Sequence, residues 1–379
     1  MTRRTLFITL LLFLYSASIS GQDTIKEKYG PWITATDEDS FTVLWVTESP
    51  GKAWVELTDG RRFYHEFAGR RIFERLHTVK VSGLKKGTEY RYKLGTSLLK
   101  NGTNAYDPTF FPEQESGYYT TRTFDYSLPE CRFTVMNDIH LNLGKYRNLI
   151  TQTKPDSLDF IFLNGDIASA KNYVLDTLAH YDFDALKGYC ESIPVMFSRG
   201  NHEGRGNNPK LVSEVFPTKT GHFYYTFRQG PAAFLVLDAG ETHSDRCLEY
   251  TGAPLFQKYL EEQMEWVKKV VKEPSFAEAQ LKVCLLHVPM VIYGNGSDLT
   301  IWLNEHFLPI LNEAGIDLMI NGDFHEFLFF PTGSCHNNFP IVVNDNNSRV
   351  EVKVAGSEYD LNIYTEEGEV SFSHSNKNQ

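Results

Sequence analysis

Five short polar motifs in this sequence each follow an apolar segment, and they carry side chains of the types that bind metal ions. The motifs are Asp138-Ile139-His140, Asn164-Gly165-Asp166, Gly200-Asn201-His202-Glu203, His287 and Gly322-Asp323-Phe324-His325. Carboxylates, imidazoles and amide oxygens are the ligands that hold two divalent cations about 4 Å apart in hydrolases. The combination predicts a two-metal hydrolase site, in which Asp166 is the natural bridging ligand.

The apolar segments in front of these motifs predict the strands that position them, at residues 133–136, 160–163, 193–197, 283–286 and 316–320. Such segments are typical of buried strands in an α/β sheet. Ligands collect beyond the carboxyl ends of these strands, so polar residues from five strands can converge in one crevice.

Helices and further strands are expected around this sheet. Helical periodicity predicts helices that cover the sheet faces at residues 174–186, 254–271 and 300–314. Alternation of apolar and polar residues predicts strands that complete a two-sheet β-sandwich at residues 341–344, 350–354, 359–364 and 369–372. The α/β domain is expected to span residues 130–373.

The order of the motifs resembles that of the calcineurin-like metallophosphoesterases, whose pattern runs D-x-H, G-D, G-N-H-D/E, H and G-H-x-H. The resemblance covers about residues 130–345, and four of the five blocks match. It implies that the first metal is bound by Asp138, His140, Asp166 and His325. It implies that the second metal is bound by Asp166, Asn201 and His287. His202 would face the scissile phosphate and stabilise or protonate the leaving oxygen, while a metal-bound hydroxide attacks phosphorus.

Asp323 departs from this pattern, because the family has a histidine there that binds the second metal. A carboxylate is harder and charged, so it favours Mn²⁺, Fe²⁺ or Mg²⁺ over Zn²⁺. We expect two metal ions of the Mn, Fe or Zn type, with the second site either full or loosely occupied. The leading interpretation is a phosphoesterase that acts on a small phosphorylated substrate. The alternatives are a phosphodiesterase with an altered second site and a non-catalytic binding protein on an inherited fold.

Residues 24–125 predict a separate, all-β sandwich domain. Alternating or aromatic runs occur, between turn residues, at 41–46, 53–57, 77–81 and 89–94. The stretch 81–92 resembles the corner of a fibronectin type III or immunoglobulin-like domain, with Tyr90 as the corner tyrosine and Trp45 in the inter-sheet core. The segment is similar to the N-terminal domain of purple acid phosphatases. Those enzymes have a metal-binding tyrosine where this chain has Ser169, so we expect binding by His140 and no purple colour.

A loop at residues 238–252, which follows an apolar strand, is a candidate edge of the site. Arg205 and the loop residue His243 are weak candidates for contacts with the anion or the leaving group of the substrate. A solvated loop is the alternative interpretation for both residues.

Residues 1–21 are typical of a cleavable secretory signal. Arg3 and Arg4 precede an apolar run at 6–15 that is too short to span a membrane, and small residues follow it. We therefore expect a secreted or periplasmic protein without a membrane span. The formal net charge of -11 at pH 7 argues against nucleic acid as a partner. Residues 374–379 are expected to form a disordered tail, and the oligomeric state stays open.

Overall fold

A β-rich domain is followed by an α/β domain in the computed structural model, which confirms the fold class expected from the sequence. The residues described are 27–102, 104, 106–169, 173–205, 208–247, 252–291 and 297–377. The predicted secretory signal lies outside these ranges. No helix within them is long and apolar enough to cross a membrane.

The N-terminal domain is organised by one long strand of 18 residues. Its strands are β1 (Tyr29–Thr34), β2 (Ser40–Leu57), β3 (Arg62–Tyr64), β4 (Glu66–Phe67), β5 (Arg70–Arg71), β6 (Glu74–Ser82), β7 (Glu89–Leu98), β8 (Gln114–Glu115) and β9 (Tyr119–Arg122). The first half of β2 pairs with β1 and β6, and its second half pairs with β3 and β7. The two runs predicted as separate strands are therefore halves of one strand, whose register shifts between Val46 and Gly51.

The core of this domain contains the aromatic residues expected from the sequence. Trp45 is fully buried in a cluster that receives side chains from both halves of β2 and from β6 and β7. The backbone N–H of Lys85 donates a hydrogen bond to the hydroxyl of Tyr90 over 2.8 Å. This contact fixes the chain five residues upstream of the tyrosine, as expected of a corner tyrosine.

The α/β domain contains two six-stranded sheets packed face to face. The first sheet has the order β12-β11-β10-β19-β20-β21, formed by β10 (Glu130–Met136), β11 (Phe160–Asn164), β12 (Val195–Ser198), β19 (Ser348–Ala355), β20 (Glu358–Thr365) and β21 (Val370–Ser375). The second has the order β13-β14-β15-β16-β18-β17, formed by β13 (Tyr225–Gln229), β14 (Ala232–Val236), β15 (Leu281–Leu285), β16 (Leu318–Asn321), β17 (Leu328–Phe330) and β18 (Ile341–Val343). The strands that precede the polar motifs run parallel within each sheet, so their carboxyl ends lie at one edge.

Helices cover the outer faces of both sheets. They are α1 (Leu143–Thr151), α2 (Leu175–Phe183), α3 (Asn201–Gly204), α4 (Lys210–Val215), α5 (Phe256–Val270), α6 (Pro274–Ala277), α7 (Asp298–His306) and α8 (Leu308–Ala314), with 3-10 turns at Pro155–Ser157 and Asp184–Leu186. The prediction of one helix at 300–314 is wrong, because the helix is interrupted at Phe307 and two helices form instead. Pro309 follows the break in the first turn of α8, where its missing N–H and fixed ring are tolerated.

The two domains share a packed boundary on the outer face of the first sheet. The indole of Trp32 stacks on Phe183 with ring centroids 4.1 Å apart, and its N–H donates to the carbonyl of Val215. The guanidinium of Arg75 lies 2.7 Å from the carboxylate of Asp176. The N-terminal domain thus packs against the helices that cover β10, β11 and β12.

The C-terminal segment corrects the boundary of the expected disordered tail. Strand β21 continues through Ser375 because its last residues pair with β20, with Asp360 opposite Ser375. The predicted tail therefore begins too early, and residues 378–379 lie outside the described ranges.

Candidate metal centre

The polar motifs converge at the carboxyl ends of five strands, three in the first sheet and two in the second. Asp138 follows β10, Asp166 follows β11, Asn201 follows β12, His287 follows β15, and Asp323 and His325 follow β16. A βαβ arrangement places such residues side by side although they are far apart in sequence. The structure brings together the ligand atoms of the predicted Asp and His residues, and Asn201 lies at the start of the helix that follows β12.

The backbone at this edge is strained in a way that marks the site. Five of the candidate ligands have positive φ values, between 48° and 71°: Asp138, His140, Asp166, Asp323 and His325. Residues other than glycine rarely adopt this conformation, and each instance costs about 1 to 3 kcal/mol. Such strain persists only where the surrounding contacts fix the backbone, and it concentrates at functional sites.

The first group of ligand atoms is formed by Asp138, His140 and His325. Asp138 Oδ1 lies 3.1 Å from His325 Nε2 and 3.4 Å from His140 Nε2. The two imidazole nitrogens lie 2.8 Å apart. Asp138 is fully buried, whereas His325 is half exposed. One carboxylate oxygen and two imidazole nitrogens therefore point at one position that solvent can reach.

The second group consists of Asp138, Asp166 and His287, all of them buried. His287 Nε2 lies 3.6 Å from Asp166 Oδ2 and 3.9 Å from Asp138 Oδ1. The carbonyl oxygen of Asn164 lies 2.6 Å from Nδ1 of His287 and accepts its N–H, so Nε2 carries the lone pair in the neutral ring. Asp166 Oδ2 also lies 3.8 Å from His140 Nε2, which places this carboxylate between the two groups.

Two buried atoms indicate that these groups fit a cation. Neither Nε2 of His287 nor Oδ1 of Asn201 has a hydrogen-bond partner among the described residues. Buried polar atoms without partners are rare, and both of these can donate a lone pair. Burial lowers the pKa of His287, but the carboxylates of Asp166 and Asp138 outweigh this effect and raise its pKa well above the usual value. The arrangement therefore attracts positive charge at His287.

Asp323 lies at the second group, as the sequence predicted, but outside the closest set of ligand atoms. Its Oδ1 is 3.8 Å from His287 Nε2. Burial raises the pKa of Asp323 to about 6, and the charges of Asp138 and Asp166 add to this increase while His287 opposes it. Asp323 thus lies close to two other carboxylates, which makes the electrostatic potential at this corner of the site more negative.

His202 lies at the open side of Asp166. Its Nε2 is 3.7 Å from Asp166 Oδ2, and its backbone N–H donates to Asp166 Oδ1 over 3.0 Å. The hydroxyl of Tyr173 donates to the carbonyl of His202. Burial lowers the pKa of His202. Its ligand atom also groups with those of His140 and Asp166, so the distances are compatible with a ligand as well as with the catalytic role predicted for it.

Of the two predicted substrate contacts, Arg205 is close to the site and His243 is not placed there. Nε and Nη2 of Arg205 lie 2.7 and 2.6 Å from the buried carboxylate of Glu241. The same carboxylate lies 3.5 Å from the amide nitrogen of Asn201. His243 is exposed, and its electrostatic neighbour among the described residues is Asp298 at the start of α7.

The supporting roles of two motif residues were missed by the sequence analysis. Glu203 is buried and accepts the backbone N–H groups of Asp166, Ile167 and Gly200 over 2.8 to 2.9 Å, which holds two ligand loops together. Gly200 is required beside it, because a Cβ atom there would lie 2.1 Å from Asp166 Oδ1.

The orienting contacts of two ligands were also missed. Ser169 Oγ lies 2.7 Å from His140 Nδ1, so it fixes the ring whose Nε2 faces the site. The side-chain amide of Asn137 donates to Asp138, and that of Asn344 donates to Asn137. Asn137 and Asn344 are polar residues at the ends of apolar strands, the same signal that located the ligands.

Known proteins have related sequences and a related fold. The sequence model of the calcineurin-like phosphoesterase family matches residues 131–327, which is more than half of the chain. A serine/threonine-protein phosphatase, CPPED1 of Danio rerio, is 25% identical over 167 residues, which are 42% of this chain and 50% of the relative. Purple acid phosphatase 15 of Arabidopsis thaliana is 22% identical over 287 residues, which are 66% of this chain and 49% of the relative. The chain thus spans about half the length of the curated relatives it matches.

A solved structure supports the fold across both domains. The purple acid phosphatase PPD1 from seeds of yellow lupin, Lupinus luteus, superposes with a TM-score of 0.64 at 15% identity. The match covers 91% of this chain and 73% of the lupin protein. The N-terminal domain and the α/β domain therefore share the layout of that fold.

Proposed function

We propose that this chain, which belongs to the calcineurin-like phosphoesterase family, is a metal-dependent enzyme that hydrolyses phosphate esters. The observation that carries the proposal is the buried, unpartnered Nε2 of His287, which faces the carboxylates of Asp138 and Asp166. Buried carboxylates placed together are unfavourable unless positive charge lies among them, and a bound cation would supply that charge at this position.

Two cations fit the donors of the site. Asp138, His140 and His325 would hold the first, Asn201 and His287 would hold the second, and Asp166 would contact both. When bound, divalent cations supply Lewis acidity and lower the pKa of water toward about 7. Asp323 would add a third carboxylate to the second site.

The protein residues around the cations would handle the phosphoryl group and the proton. The backbone of His202 is held at both its N–H and its carbonyl, and Nε2 of its ring lies 3.7 Å from Asp166 Oδ2. From there Nε2 can hold a proton for the leaving oxygen. Arg205 adds positive charge beside His202, and Glu241 fixes its guanidinium. Charge on the phosphoryl oxygens is thereby offset, which is the main catalytic effect in phosphoryl transfer.

A comparison of activity and metal content tests these roles. His202→Ala should lower kcat on an aryl phosphate about 10²- to 10⁴-fold while metal content stays as in the wild type. His325→Ala should lower both, and the exposed His243→Ala serves as the matched control that changes neither. Equal losses of metal and activity in His202→Ala would assign His202 as a ligand. Absence of metal-dependent turnover in the wild type, with mono- and diesters and added Mn²⁺, would leave a binding protein as the remaining function.

Asp323 favours a second candidate function, a phosphodiesterase. The three carboxylates Asp138, Asp166 and Asp323 repel a phosphate monoester dianion more strongly than a diester, which carries one negative charge less. Asp323→His, which removes this charge, should raise kcat/KM for monoesters relative to diesters. An unchanged ratio would show that Asp323 does not select the substrate.

We also propose that the chain is exported, on the basis of residues 1–21. The measurement is the mass of the N-terminal peptide of protein recovered from the periplasm or the medium. A mature N-terminus near residue 21 or 22 is expected, and retention of residues 1–21 in the cell would contradict export.

A further inference from the structure

Only one oxygen of Asp138 is available to the metal centre, because the other is occupied by two donors. Asp138 Oδ2 accepts the side-chain amide N–H of Asn137 over 2.7 Å and the backbone N–H of Asp323 over 2.9 Å. Oδ1 is the atom that approaches His140, His287 and His325. The orientation of this buried carboxylate is therefore set by hydrogen bonds on the side away from the ligands.

The amide of Asn137 is held in turn by Asn344. Nδ2 of Asn344 donates to Oδ1 of Asn137 over 2.8 Å, and Oγ of Ser348 donates to Oδ1 of Asn344 over the same distance. Nδ2 of Asn344 also lies 3.0 Å from the carbonyl of Asp345 and 3.1 Å from that of Ser348, which are acceptors only. These contacts fix which atom of each amide is nitrogen, so Asn137 must present its N–H groups to Asp138.

The hydrogen bonds that hold Asn137 come from a segment that connects the two sheets. Residues 344–347 connect β18 of the second sheet to β19 of the first. Asn137, Asn344 and Ser348 are at most 3% exposed. The ammonium group of Lys145 joins the same segment to the site, since it donates to the carbonyls of Asp138 and Asn346. A turn distant in sequence thus supports a candidate ligand from two directions.

We propose that Asn137, held by Asn344, is a positioning residue that presents Asp138 Oδ1 to the cation of the first site. The inference rests on the proposed function to the extent that a cation binds there. Loss of the amide leaves Oδ2 with one donor and frees the carboxylate to rotate. Residues that orient metal ligands typically contribute 10- to 100-fold to metal affinity.

The matched control is Asn337, a fully buried asparagine in the loop between β17 and β18. Its Nδ2 donates to the carbonyls of Pro331 and Phe339, and its Oδ1 accepts the N–H of Cys335. Its side chain thus makes three hydrogen bonds, one fewer than that of Asn137, and none of them is to a candidate ligand. Asn337→Ala therefore reports the general cost of removing a buried amide.

The experiment is a calorimetric titration of the full chain with Mn²⁺, with thermal unfolding of the metal-free proteins measured in parallel. Asn137→Ala should raise the Kd of the first site about 10- to 100-fold. Asn344→Ala should raise it less, and the double variant should be no worse than Asn137→Ala, because Asn344 acts through Asn137. Asn337→Ala should lower the Tm about as much as Asn137→Ala does, and it should leave the Kd unchanged.

The outcomes separate this inference from the proposed function. A Kd for Asn137→Ala within twofold of the wild type, or of the Asn337→Ala control, overturns the positioning role. Should Asn137→Ala not fold, an unchanged Kd in Asn344→Ala overturns it instead. Mn²⁺ binding by the wild type without hydrolysis of any ester overturns the proposed function alone, whereas a wild type that binds no Mn²⁺ overturns both.

Discussion

Acid should destabilise this protein through a histidine in the N-terminal domain. His77 is fully buried, and its Nε2 lies 2.9 Å from the hydroxyl of Thr47. Its ring contacts Trp45, with centroids 5.0 Å apart, and the edge of His65 at 6.2 Å. Burial lowers the pKa of His77 to about 3, and the neighbouring His65 adds to this effect. The folded domain therefore holds His77 in its neutral form.

The size of the effect follows from the difference between the folded and unfolded pKa values. The unfolded chain protonates its histidines below about pH 6.5, whereas the folded chain does not protonate His77 until about pH 3. The stability that neutral His77 provides is thus fully present above pH 6.5 and is lost progressively as the pH falls toward 3. The loss from this residue is about 2 kcal/mol at pH 5 and about 4 kcal/mol at pH 3, and it approaches a limit of about 5 kcal/mol at lower pH.

Urea unfolding of the whole chain at pH 7 and pH 5 tests this account, with tryptophan fluorescence as the signal because Trp45 adjoins His77. The free energy of unfolding of His77→Gln should depend on pH less than that of the wild type, by about 2 kcal/mol over this interval. His222→Gln, at an exposed histidine, is the control and should keep the wild-type dependence. The same pH dependence in His77→Gln and the wild type would refute the reasoning.

Three further substitutions test the packing described above. Gly200→Ala places a Cβ atom 2.1 Å from Asp166 Oδ1, so metal content measured by mass spectrometry should fall sharply, and normal content would contradict the close approach. Arg199→Ala removes the ion-pair partner of the fully buried carboxylate of Asp238, 2.7 Å from the guanidinium, and should cost about 3 kcal/mol or more in urea unfolding; a loss below 1 kcal/mol would mean that the remaining hydrogen bonds from Tyr259 and Gly240 suffice for this carboxylate. Tyr90→Phe removes one hydrogen bond to the backbone and should lower the free energy of unfolding by about 1 kcal/mol, whereas no change would deny the corner a stabilising role.

The sequence located the candidate ligands well because their placement depends on local pattern. An apolar strand followed by Asp, Asn or His needs only the parallel arrangement of neighbouring strands to bring Asp138, Asp166 and His287 together. The resemblance of residues 81–92 to a fibronectin type III corner placed Tyr90 at the corner and Trp45 in the core.

Features that depend on distant contacts were not predictable in this way. Asn137 and Asn344 each follow an apolar strand, as the ligands do, but they are 207 residues apart and their contact with each other forms only when the two sheets are packed. The break at Phe307 was missed because the apolar periodicity continues across it and the proline acts only on the backbone. His243 was a candidate for a substrate contact because its loop follows a strand that ends at the edge of the sheet. The position of a loop does not determine the direction of its side chains, and His243 lies near Asp298 instead.

The metal centre receives side chains from both sheets of the α/β domain. A cation held there would be a cross-link between the two halves of the sandwich, and its binding free energy would add to the work of separating them. At a cation concentration 100 times the Kd this amounts to about 2.7 kcal/mol. If the protein works outside the cytoplasm, its lifetime against proteases would depend on the supply of cations in its surroundings. Chelating conditions would then shorten the survival of the chain as well as stop its chemistry.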